Sequence, residues 1–341
     1  MKTCRFAIIT LLVFGSSLGS ASDEEGEMLL ADLQGLQLSL EGADYYYWLT
    51  PINGRVVLNK QCVPAEQDCD HNVLVVWDEH GEKIFERVPR HDITDMAGGK
   101  VFDTALLGTN RLFLSTVTQA EGYPWILAEY DLDKEKIVHR FPTAPARCHG
   151  LYGDDEGTIW CLGSDPQKRR DGQDYDLVYL FDDSGTLQNS SLPRSTFPDT
   201  HKAACCRRDY FLGSDDNVAL WLSGANELIR FELDGSVRDR LSLPTLEGQK
   251  RERLAMAPDG GVFAMLITAP DAEDADDPDT WTQGLYRLAP DGGSWIPLQD
   301  PLVQLPMRIE LKGADESGLI LLDRESLRLL WYPYDQFVAN N

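Results

Sequence analysis

The sequence predicts an all-β chain of six repeated four-stranded antiparallel units, and three observations carry that prediction. First, a strand-turn-strand segment recurs and usually ends at proline: VLVVWDEHGEKIFERVP, WILAEYDLDKEKIVHRFP, DLVYLFDDSGTLQNSSLP, ELIRFELDGSVRDRLSLP and GLYRLAPDGGSWIPLQDP, with a sixth copy breaking off as LRLLWYPYDQF. Second, the equivalent points Trp77, Tyr130, Phe181, Phe231, Leu288 and Tyr334 are spaced by 53, 51, 50, 57 and 46 residues, too regular for chance and too long for a helical solenoid unit. Third, another hairpin precedes each copy, and helical periodicity is hard to find after residue 42.

Taken in order, the 341 residues begin with Lys2 and Arg5, an apolar run from Phe6 to Phe14 and the small residues Gly19-Ser20-Ala21. That is the layout of an export signal over 1–21, which makes the product periplasmic or secreted. The run is too short to cross ~30 Å of hydrocarbon as a helix, and no later segment is longer, so no integral membrane segment is expected. LQLSLEG at 36–42 has strand alternation. The second strands of the leading hairpins then start near GRVVLN at 54, NRLFLS at 110, GTIWCL at 157, NVALWL at 217, GVFAML at 261 and GLILLD at 318. The units span about 44–89, 101–142, 147–193, 205–244, 252–299 and 306–341. Their apolar runs are continuous enough for sheets packed on both faces.

Six such units resemble a six-bladed β-propeller forming a single domain over 22–341. The last unit lacks its outer strand, and 36–42 is placed to supply it and close the ring. DDEGTIWCLG at 154–163 is similar to the Asp-x-Gly-Thr-x-Trp repeat of streptogramin-lyase-like and periplasmic sensor propellers, while the other copies keep only the turn and the apolar strand. The resemblance implies architecture and transfers no catalytic residue. The gluconolactonase and streptogramin-lyase group implies one alternative activity, a metal-dependent hydrolase or lyase at the central channel mouth, with Glu252, Glu310, Asp103 and His149 as donors. A quinone-cofactor dehydrogenase is a further alternative.

The net charge of -25 becomes -27 when Lys2 and Arg5 leave with the signal, and such a surface repels nucleic acid and anionic lipid. Beyond Cys4 six cysteines remain, in a compartment where disulfides persist. Cys62 and Cys69 share one polar loop, and closing it contributes about 2.5 kcal/mol on the chain-entropy model. Cys148 and Cys161 flank the turn centre GDDEG and could face each other across a hairpin. Cys205 and Cys206 are adjacent, which leaves their pairing open.

Turns within the hairpins are short and acidic and belong to one face of the ring. The connections on the other face are long, and binding usually resides on such loops. There the windows PARCH, CCRRD, KRERL and LPMRI hold seven Lys or Arg in twenty residues. They suggest a cationic channel mouth made by Arg147, Arg207, Arg208, Arg251, Arg253 and Arg308, suited to carboxylate, phosphate or sulfate. The competing reading pairs these arginines with Asp209, Glu252 and Glu310 as staples between blades. His91, His149 and His201 lie near the same face and are candidate acids, bases or ligands, although a surface or hydrogen-bonding role is the more common one for any single histidine. Asp274, Asp276, Asp277 and Asp279 in the loop APDAEDADDPDTW could hold calcium or simply be solvated. Trp77, Trp160 and Trp221 read as core anchors, whereas Trp125 and Trp281 could meet a ligand. Asn189-Ser190-Ser191 is a glycosylation sequon if the producer is eukaryotic. No G-x-S-x-G elbow or H-E-x-x-H pair is present. The sum is an exported, non-catalytic platform that binds a partner protein or a small anionic ligand through its long-loop face.

Overall fold

A period of two in the strands decides the architecture. The second strands carry runs of consecutive apolar side chains, such as Val56–Leu58, Leu112–Leu114 and Val218–Leu222, so successive residues must be buried on opposite faces of the sheet. The computed structural model describes residues 34–37, 46–52, 55–61, 72–122, 124–154, 156–197, 209–214, 217–268, 281–298, 305–315, 318–326 and 328–334. The segment 1–21 read as an export signal, Cys62, Cys69, Cys205, Cys206, His201, Arg207, Arg208, Asp274, Asp276, Asp277 and Asp279 lie outside them.

The strands form six four-stranded antiparallel sheets arranged as the blades of a propeller. Strand β1 (Gln34–Gln37) stands apart at the N-terminus. Blade 1 comprises β2 (Tyr46–Ile52), β3 (Arg55–Gln61), β4 (Asn72–Trp77) and β5 (Lys83–Arg87). Blade 2 comprises β6 (Met96–Leu107), β7 (Arg111–Thr118), β8 (Trp125–Asp131) and β9 (Lys136–Pro142), and blade 3 β10 (Arg147–Gly153), β11 (Ile159–Ser164), β12 (Asp176–Phe181) and β13 (Leu187–Pro193). Blade 4 holds β14 (Tyr210–Ser214), β15 (Asn217–Leu222), β16 (Glu227–Phe231) and β17 (Val237–Ser242), and blade 5 β18 (Gln249–Met256), β19 (Val262–Thr268), β20 (Thr282–Leu288) and β21 (Trp295–Pro297). In blade 6, β22 (Ile309–Ala314), β23 (Gly318–Asp323) and β24 (Arg328–Pro333) are completed by β1, whose residues Gln34–Gln37 pair antiparallel with Trp331–Arg328. An N-terminal strand closes the ring, as the sequence predicts, and it is described at 34–37 where the alternation suggested 36–42.

Six apolar clusters fill the six seams between blades. The alternation is visible within single strands. In β3, Val57 packs toward blade 2 while Val56 and Leu58 pack toward blade 6. In β11, Ile159 and Cys161 face blade 2 while Trp160 and Leu162 face blade 4. The tryptophans predicted to be core anchors, Trp77, Trp160 and Trp221, are all buried. Cys148 and Cys161 form a disulfide between β10 and β11, with 5.3 Å between their Cα atoms, inside the seam of blades 2 and 3.

The acidic hairpin turns are a repeated piece of local chemistry. At Asp182, the N–H of Gly185 donates to the Asp182 carbonyl, and the carboxylate accepts from the N–H groups of Ser184 (2.9 Å) and Thr186 (2.8 Å). Gly185 has φ +85°, which a side chain would strain, so an aspartate three residues before a glycine closes this type of hairpin. Asp78 with Gly81 repeats the arrangement in blade 1. Asp154 also caps its own turn, accepting from the Thr158 N–H (2.7 Å), and its other oxygen accepts from the Trp160 indole N–H (2.9 Å). That pair explains the conjunction of turn and tryptophan in DDEGTIW.

Among the described residues, two short α-helices interrupt the long connections. Helix α1 (Pro89–Asp92) leads from blade 1 to blade 2. Helix α2 (Pro166–Arg170) occupies the start of a segment whose composition reads as an exposed loop. Pro166 opens it at a position that needs no N–H, and the Asp165 carboxylate accepts from the N–H groups of Gln167 (2.9 Å) and Lys168 (3.1 Å).

Candidate functional site

The innermost strands β2, β6, β10, β14, β18 and β22 ring the central channel, with β6 against β10, β10 against β14, β14 against β18, and β22 against both β18 and β2. Each inner strand starts from the long-loop face, so its first residues sit at the channel mouth. At that level four of the six share an irregularity. Pairing with the second strand skips one residue in each: Phe102 in β6, His149 in β10, Glu252 in β18 and Lys312 in β22. A bulged residue is freed from the ladder and its side chain is re-aimed, which is why bulges gather at rims and functional sites.

In blades 5 and 6 these positions build a cationic pole. The Lys312 ammonium lies 2.5 Å from Glu310 Oε2, and Arg324 Nη1 lies 3.2 Å from Glu310 Oε1. Arg253, in the neighbouring β18, adds a third positive charge that acts on both Glu310 and Lys312 and places its guanidinium 5.5 Å from the Tyr210 ring centre. Two cations therefore contact this carboxylate, and the charge of a third acts on it from the neighbouring blade. Burial pushes the Lys312 pKa down, with Arg253 and Arg324 adding to the effect against the pull of Glu310. Glu310 is held below the usual carboxylate range by Lys312, Arg324 and Arg253, which outweigh its burial. Arg308 belongs to a separate group at the rim, where its Nε lies 3.2 Å from Asp323 and 3.4 Å from Glu325.

In blades 2 and 3 the same level is aromatic. The rings of Phe102 and Trp125 lie 4.2 Å apart, and the His149 ring stands edge-on to Trp125 at 4.7 Å and to Phe102 at 5.9 Å. All three are half-buried. Burial lowers the His149 pKa to about 4, assisted by Arg147 and by Arg169 of helix α2, so the imidazole is neutral at pH 7. Next to Phe102, Asp103 accepts from the Leu151 N–H (2.8 Å), joining β6 to β10. This carboxyl is held between the two inner strands, and burial raises its pKa to about 7 against that hydrogen bond and one from the Thr104 N–H.

The predicted residues are thus distributed. Arg147 is exposed beside His149, Arg253 joins the pole, Arg308 pairs within its own blade, and Arg251 lies on β18 with its side chain outside the described residues. His91 is exposed on α1, between blades 1 and 2, one blade away from His149. Of the donors implied by the lactonase resemblance, Asp103 and His149 share the seam of blades 2 and 3 while Glu310 stands in blade 6. Among the described residues no three His, Cys, Asp or Glu side chains are placed to hold a metal ion. Sequence reasoning missed Lys312 and Arg324. The signal was available in IELK, where Glu310 and Lys312 alternate with the core residues Ile309 and Leu311.

On the opposite, short-turn face a cleft of about 430 Å³ opens between blades 3 and 4, lined in part by Glu156, Asp182, Asp183, Asn189 and Asp234. Asp182 is occupied as a turn cap, and the Asn189 amide donates to the Asp234 carbonyl (2.6 Å). Among the described residues no helix is long and apolar enough to cross a membrane.

No protein-family model matches the chain, and no curated protein matches its sequence. Solved structures do. A member of the DUF4221 family from Bacteroides vulgatus aligns with TM-score 0.52 at 10% identity, covering 88% of this chain and 96% of that one. A streptogramin B lyase gives 0.45 at 14% identity over 87% and 95%, and virginiamycin B lyase from Staphylococcus aureus gives 0.45 at 13% over 88% and 98%. Likeness at such identities is likeness of fold.

Proposed function

We propose that this chain is an exported, non-catalytic propeller platform whose long-loop face binds an anionic group, either on a small ligand or on the surface of a partner protein. The observation that carries the reading is the convergence of Arg253, Lys312 and Arg324 on the single carboxylate of Glu310. One carboxylate among three cations leaves a surplus of positive charge at the mouth, and guanidinium forks suit carboxylate and sulfate oxygens. Export is supported by the layout of residues 1–21 and by the Cys148–Cys161 disulfide, a bond that persists in oxidising compartments. The alternative of a metal-dependent hydrolase or lyase would require a divalent cation to approach a carboxylate already ringed by three positive charges.

Sulfate provides the test. At constant ionic strength, replacing chloride by sulfate should raise the melting temperature of the native protein, and Arg253→Gln should abolish most of that rise. Equal shifts in the native protein and the variant would overturn the proposal.

A further inference from the structure

The cationic pole and the aromatic cluster occupy the same level of one channel and lie on opposite sides of it. In a ring of six, blade 2 stands opposite blade 5 and blade 3 opposite blade 6. Phe102 and His149 therefore lie on inner strands opposite those of Arg253 and Lys312, and three of these four residues are the bulged residues of their strands while the fourth, Arg253, follows one. The two halves offer different chemistry. Blades 5 and 6 supply surplus positive charge around Glu310, with Lys312 almost wholly buried and only 8% of its side chain accessible. Blades 2 and 3 supply three rings that touch one another and remain half-buried. An apolar wall with a few convergent polar groups is the usual composition of a small-molecule site, the wall carrying affinity and the polar groups fixing orientation.

We propose that the channel mouth is a bipolar site for an aromatic carboxylate, with its acid group on Arg253 and Arg324 and its ring against Phe102, Trp125 and His149. This rests on the anion-binding reading above and adds a substrate class to it. Lys312 acts as a positioning residue. By occupying one oxygen of Glu310 while Arg324 occupies the other, it satisfies that carboxylate without Arg253, so the positive charge at the mouth exceeds what Glu310 can neutralise. The Phe102 ring is fixed from behind, because it stacks on Trp125 while the Lys100 ammonium lies 5.3 Å from its centre. A neutral aromatic would forgo the charge-assisted hydrogen bonds, and a small aliphatic acid would forgo the ring contacts.

Titration calorimetry on the full chain with 2-naphthoate, 2-naphthamide and acetate separates these contributions. The expected result is that 2-naphthoate binds roughly tenfold or more tighter than either of the others, the factor that one charge-assisted contact or one aromatic contact supplies. Arg253→Gln and Trp125→Leu should each remove most of that advantage. Trp125 is partly structural, so Phe102→Leu serves as a second variant at the wall, and the melting temperature of every variant is compared with that of the native protein. If 2-naphthoate binds no tighter than acetate, or if both wall variants retain full affinity, the bipolar site is overturned. A sulfate response that still depends on Arg253 would in that case leave the general anion site standing. Absence of both responses would overturn the two readings together.

Discussion

Asp103 shows how position alone can change what a side chain does. Its carboxyl is held between β6 and β10, and burial raises its pKa from 3.8 to about 7, against the Leu151 and Thr104 N–H bonds that favour the ionised form. Between about pH 4 and 7 the folded chain retains a proton that the unfolded chain releases, so this group removes stability as pH rises through that window. Asp103→Asn keeps an oxygen to accept from Leu151 and cannot ionise. Its melting temperature should therefore exceed that of the native protein at pH 8, with the gap closing by pH 4, and a gap independent of pH would contradict the assignment. Sequence showed part of this scale. The enrichment of arginine near the inner strands was legible and drew attention to Arg253. It could not show that Arg308 is held by Asp323 and Glu325 while Arg324, from a different connection, reaches Glu310, because those pairings depend on how two loops of one blade fold together.

At the scale of elements, the turns were the most legible feature because their causes are local. An aspartate whose carboxylate caps nearby N–H groups and a glycine at positive φ close the hairpin wherever they occur together. The bulges were not legible. Whether His149 or its neighbour is left out of the ladder is decided by the register of β10 on β11, and register is set by partners distant in sequence. The same hairpin carries the disulfide between residues 13 apart. Replacing both Cys148 and Cys161 by alanine should lower unfolding stability by about 3 kcal/mol, the entropic value for a loop of that size, as measured by urea denaturation. A loss close to zero would mean that the packing of blades 2 and 3 already fixes the hairpin without it.

The whole molecule is held by six seams, each buried only when both of its blades are present. The sixth blade is joined to the first through the cluster of Val56, Leu58, Val75, Trp77, Ile320, Leu322 and Leu329, and its outer edge is covered by β1. Deleting residues 22–42 exposes the hydrogen-bonding edge of β24 and loosens this closure. The melting temperature should fall sharply, and a truncated chain that melts like the native protein would show that the ring does not need its N-terminal strand. The ring itself was legible because a repeat near fifty residues can bury its two-sided strands only against further copies of itself.

The pairing of β1 with β24 also has a meaning in time. Roughly 290 residues separate the two strands, and at the usual rates of synthesis the first must wait roughly 15–60 s for its partner to be made. Until then it is an open strand end beside a half-built ring. Synthesis of β24 is what latches the structure, so a chain stopped before Arg328 would carry an unmatched N-terminal strand that quality-control proteases and chaperones can recognise as unfinished.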